Sequence, residues 1–114
     1  MTLSELTFLI LNLNSLVDRD LHKDVSLNEV KQHIERGDVL DWLEKRFGTD
    51  MDLSLCRGRP SAHEITKGLR QILGGYGGRE RRKWGIENNG VCLLIAWVNE
   101  LVQQRAWDER DRAA

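Results

Sequence analysis

Residues 91–98 read VCLLIAWV, eight apolar side chains without a polar break. On a helix such a run is apolar on every side, so other elements must cover it nearly all round. It is also far short of the ~20 residues that span a bilayer. The chain therefore needs a fold in which this segment is a central spine. One proline in 114 residues and few β-branched runs favour helices as the covering elements.

Start and stop signals supply those helices. Thr2-Leu3-Ser4-Glu5 has capping-box form, and Leu6, Leu9, Ile10, Leu13, Leu16 and Val17 follow as an apolar stripe that Phe8 and Leu11 widen. The stretch TFLILNLN also alternates as a strand would, but the helical stripe is the longer pattern. Asp18 to Asp24 is charged and turn-like. Ser26-Leu27-Asn28-Glu29 is a second capping box, with Leu27, Val30 and Ile34 as the apolar face, and Gly37 is placed to end that helix. Asp38 can cap a third helix, whose inner face is Val39, Leu40, Leu43 and Phe47 and which Gly48 ends.

An irregular stretch, TDMDLSLCRGRP, comes next. Pro60 and the box Ser61-Ala62-His63-Glu64 then open a fourth helix with Ala62, Ile65, Leu69, Ile72 and Leu73 inward. Gly74 and Gly75 stop it, residues 74–78 form a flexible glycine-rich loop, and Arg79 to Lys83 can add a basic turn. Asn88 or Asn89 can cap the last helix, which runs to about residue 108 before a frayed tail at 109–114. The expected fold is one all-α domain over residues 1–114, a compact bundle of about five helices around a buried C-terminal helix.

Charge is divided along the chain. Residues 1–56 carry 6 Lys/Arg and 11 Asp/Glu, a net of −5; residues 57–83 carry 8 and 2, a net of +6; residues 84–114 carry 3 and 5, a net of −2. Such blocks point to partners, not to fold. On the fourth helix His63, Lys67 and Arg70 step by four and three and so share a solvent-facing side. Arg57 and Arg59 precede its N-terminus, where free N–H groups also favour anions. Arg79, Arg81, Arg82 and Lys83 follow it, and Tyr76 and Trp84 put aromatic rings among the charges. These are the two residue types that contact with nucleic acid requires: cations for phosphates and flat rings for unpaired bases. Arg57, Arg59, Lys67, Arg70, Arg79, Arg81, Arg82 and Lys83 would hold phosphates, and Tyr76 and Trp84 would stack. Arg57-Gly58-Arg59-Pro60 matches a minor-groove hook core, but its flanks are not the extended basic ones such hooks have. GGYGGRE is one unit of a segment type that binds RNA by repetition.

Two other uses of the basic block stay open. The second and third helices, acidic on balance, could lie against it, or it could dock on an acidic protein or nucleoprotein partner. An exposed Trp42 or Trp107 would point to a homodimer or protein partner, a buried one to packing at a core edge. The expectation is a small cytoplasmic nucleic-acid-binding or nucleoprotein-associated regulatory module. The alternative is a protein-interaction module or small inhibitor, of the kind a phage or mobile element encodes, that docks on a larger complex.

Signals for catalysis are missing. There is no P-loop, dinucleotide fingerprint or nucleophile elbow, and His63-Glu64 lacks the second histidine of a zinc protease motif. His22, His33 and His63 are scattered. Cys56 and Cys92 have neither disulfide-framework nor zinc-site spacing and read as reduced, partly buried thiols. No enzyme activity, metal or cofactor is expected. The start of the chain lacks the basic residues of a secretory signal, which accords with a cytoplasmic protein and no membrane partner.

Overall fold

Hydroxyl side chains start three of the helices. Thr2 accepts from the Glu5 N–H and Glu5 reaches back to the Thr2 N–H, closing the box that opens α1, Leu3–Asp18. Ser61 and Glu64 close the same box at α4, Ala62–Arg70. Ser26 opens α2, Leu27–Arg36, with half a box: it accepts from the Glu29 N–H, while the Glu29 carboxylate accepts the Trp42 indole N–H at 3.3 Å. Asp38 does not cap α3, Val39–Phe47, through its side chain. Its carboxylate hydrogen-bonds His33 Nδ1 at 2.8 Å, a competing partner one helix back. Gly37 ends α2 in the left-handed conformation at φ +80°. Asp20 does the same after α1 at φ +62°, with the Leu21 N–H returning to the Leu16 carbonyl. The last helix, α5, spans Gly90–Ala113, five residues past the expected end.

The computed structural model describes residues 1–72 and 89–113. Among them the fold is all-α, a compact bundle of five helices without strands. α5 is its centre, packed against α1, α2 and α4, with α3 against α2. Val91, Leu93, Leu94, Ile95, Ala96, Trp97, Val98 and Leu101 are all buried, as an all-round apolar segment demands. Leu6, Leu9, Leu13 and Leu16 of α1, Val30 and Ile34 of α2, and Val39, Leu40, Leu43 and Phe47 of α3 pack around it, and Met1, Val25, Met51, Cys56, Leu69 and Ile72 join the same core. Leu11, expected to widen the α1 stripe, is instead 62% exposed. It lies off the row that faces α5, on a side of the helix left open among the described residues. No described helix is long and apolar enough to cross a membrane.

Two close approaches fix α5. A Cβ on Gly90 would collide with the Ser26 carbonyl oxygen and stand 2.7 Å from Val30 Cγ2, so α5 begins directly against the start of α2. Asn89 secures this junction: its Nδ2 donates to the His22 carbonyl and its Oδ1 accepts from the Val91 N–H at 2.7 Å. Farther on, Gly68 of α4 lies over the Trp97 indole, where a Cβ would come within 3.0 Å of the ring. Trp97 is 1% exposed, and its N–H has no partner among the described residues.

The irregular stretch after α3 runs back along α1, from its C-terminus to its N-terminus. Arg19 donates to the Asp50 carbonyl, Asn12 pairs with both the N–H and the C=O of Asp52, and Glu5 accepts the Gly58 N–H at 2.6 Å. The Met1 ammonium donates to the Arg59 carbonyl at 3.1 Å. Polar side chains of a helix thus satisfy the backbone of a segment that has no ladder of its own.

Candidate functional site

This return along α1 delivers Arg57, Arg59 and Pro60 to the start of α4. Gly58 sits so close to α1 that a Cβ would meet Glu5 Oε2 at 2.8 Å and Met1 Cα at 3.0 Å. The Arg-Gly-Arg-Pro segment is therefore held in a clamped turn. The Gly58 N–H bond is the main reason the Glu5 carboxyl is held below its usual range; Thr2 and the chain-terminal ammonium add to it, and partial burial opposes them.

α4 turns Gly68 and Leu69 inward, as Ile72 just beyond it also turns, and presents His63, Lys67 and Arg70 to solvent. Ala62, expected inward, is exposed. α4 packs closest on α5 at Gly68, in its second half, so the first turn overhangs the core and only Glu64 and Ile65 are half-buried there. Arg57 is exposed, its Nε donating to the Ser54 carbonyl. Arg59 is partly engaged: Nη2 pairs with Asp41 of α3 at 3.1 Å and Nη1 donates to the Gly58 carbonyl. Among the described residues Arg57, Lys67 and Arg70 form no ion pair. Tyr76, Arg79, Arg81, Arg82, Lys83 and Trp84, with the glycine-rich loop and the added basic turn, lie outside the described residues.

α2 and α3 do not blanket this face. Residues 27–47 hold five Asp/Glu against four Lys/Arg, a balance of only −1, and among the described contacts they reach the basic residues through Asp41 alone. A surface pair of this kind contributes about 0–1 kcal/mol.

Sequence reasoning passed over a groove of about 420 Å³ between α4 and the outer half of α5. His63, Lys67 and Gln71, stepping by four, form one bank; Gln103, Gln104 and Trp107 form the other. Trp107 is 64% exposed. Trp42, in contrast, is half-buried at the core edge, stacked on His33 with ring centroids 5.0 Å apart. Glu64 anchors the groove's end, accepting from Ser61 N–H and pairing with Arg105 of α5 at 2.7 Å. Its second role, across to α5, left no local signal; the matched spacings of the two banks did.

Burial pushes both thiols up from the usual cysteine value, and Glu5 and Asp52 push Cys56 further, which keeps them protonated and weakly nucleophilic. Among the described residues no three His, Cys, Asp or Glu gather as metal ligands would. Comparison with protein-family models, curated proteins and solved structures finds no match to this chain.

Proposed function

We propose that the chain is a small cytoplasmic nucleic-acid-binding or nucleoprotein-associated regulatory module whose working surface is the outer face of α4 with the turn before it. The observation that carries this reading is the exposure of Arg57, Lys67 and Arg70 without ion pairs among the described residues, in a segment of net charge +6. Cations left uncompensated along one segment give it a positive field, which attracts an external anion. In this reading Arg57, Lys67, Arg70 and part of Arg59 hold phosphates, Arg79, Arg81, Arg82 and Lys83 extend the track, and Tyr76 and Trp84 stack on bases.

The test is titration of labelled DNA and RNA with the chain and with the Arg57→Glu, Lys67→Glu, Arg70→Glu triple variant. All three positions are exposed, so the helical spectrum should survive. Wild-type affinity should fall with salt by about 0.9 log units per tenfold for each phosphate neutralised on duplex DNA, and the variant should lose at least tenfold. No binding to either nucleic acid at low salt would overturn the reading. A second reading, a protein-interaction module or homodimer, is favoured by Trp107, exposed at 64%, and by Leu11 and Leu55, exposed at 62% and 61% on α1 and on the stretch that runs along it. Binding of that kind would survive both nuclease and the triple reversal.

A further inference from the structure

The outer half of α5 does little core work. Residues 103–110 are half-buried or exposed, yet among them stands a large apolar side chain, Trp107, at 64% exposure. Its neighbours across the groove are a cation, Lys67, a histidine, His63, and the amide of Gln71; beside it stand Gln103 and Gln104. We propose that this groove seats an unpaired base of a single-stranded nucleic acid, stacked on Trp107.

Each component matches one part of a nucleotide. The exposed indole offers a face for stacking, which tolerates any base because every base has a π-face. Amides carry both a donor and an acceptor, as base edges do. Lys67 stands on the bank continuous with Arg70, so a backbone can run along the outer side of α4 while a base turns inward. A volume of about 420 Å³ lies within the range of small-ligand sites. The carboxylates argue for a base in the groove and against a row of phosphates there. Glu64 is occupied by Arg105, but Glu100 and Asp108 line the groove as well, so beside Lys67 its charge is mixed and leans acidic. An apolar peptide would find one aromatic ring among amides and charges, with no second apolar wall. A duplex would present no free base face.

The inference rests on the nucleic-acid reading above, and one experiment separates the two. Fluorescein-labelled oligothymidylate of about 20 nucleotides and a duplex of the same length are titrated by anisotropy with the full chain, Trp107→Phe and Trp107→Leu. The expected result is a preference for the single strand, a loss of about tenfold in W107L for the single strand alone, and most of the affinity kept in W107F. Quenching of tryptophan emission by oligothymidylate should also be weaker in W107L, keeping only the share that Trp84 supplies in the reading above. If W107L binds the single strand as well as wild type while the triple charge reversal abolishes binding, the groove assignment is wrong and the nucleic-acid reading stands. If neither nucleic acid binds wild type, both fall. Nuclease-resistant binding of a protein that W107L abolishes, with oligothymidylate unaffected, would give the groove to a protein partner and overturn the assignment.

Discussion

Glu5 illustrates how one side chain serves two elements. Its carboxylate closes the α1 cap through the Thr2 N–H at 3.3 Å and holds the returning chain through the Gly58 N–H at 2.6 Å. Both bonds favour the charged form, and the group's pKa is lowered for that reason, the Gly58 bond first. A lowered native pKa means stabilisation that is complete above the unfolded carboxylate value and is lost as pH falls through the native value. Glu5→Gln should therefore cost about 1 kcal/mol near neutral pH, with the gap to wild type closing in acid, as urea denaturation across the pH range will show. A gap unchanged in acid would mean that the charge is irrelevant. The cap half of this role was legible from Thr2-Leu3-Ser4-Glu5, because cap and partner are three residues apart. The Gly58 half was not, because it joins residues 53 apart in sequence.

Among the elements, the rival patterns in TFLILNLN show which periodicity prevailed. A strand would place Leu9, Leu11 and Leu13 on one side, but Leu9 and Leu13 are buried and Leu11 is not. Burial follows the helical steps from Leu6 to Leu16, since a 16-residue helix can lay a whole row on α5. The α4 boundary was legible too, in Pro60 and the Ser61 box. Its tie to α5 was not, because Glu64 also pairs with Arg105. Glu64→Ala should cost roughly 1–2 kcal/mol, losing the reciprocal cap and the ion pair together. Glu64→Gln keeps an acceptor for the Ser61 N–H and should cost about half as much, measured as the shift in denaturation midpoint. Equal losses in the two variants would assign the whole effect to the ion pair.

For the whole molecule, the contact at Gly90 is decisive. Helix propensity alone favours Gly90→Ala by up to about 1 kcal/mol. The space does not: the added methyl would meet the Ser26 carbonyl and Val30, and overpacking costs about 1–3 kcal/mol. Backbone cannot rotate aside as a flexible side chain can, so the variant should be destabilised by about 2 kcal/mol in urea while keeping its helical spectrum; a rise in stability would show that α5 has room to shift.

By itself the sequence determined the all-α class, the starts of α1, α2 and α4, the left-handed stop at Gly37 and the burial of the VCLLIAWV segment, because capping and apolar periodicity act within a few residues. Only the tertiary structure decided the path of residues 48–61 along α1, the diversion of Asp38 to His33 and of Glu29 to Trp42, and the engagement of Arg59 by Asp41 while Lys67 and Arg70 stay open to solvent. It likewise separated the tryptophans, with Trp97 under Gly68, Trp42 against His33 and Trp107 in the open groove. Most of these outcomes depend on which surfaces meet across tens of residues, and no local dihedral preference encodes that.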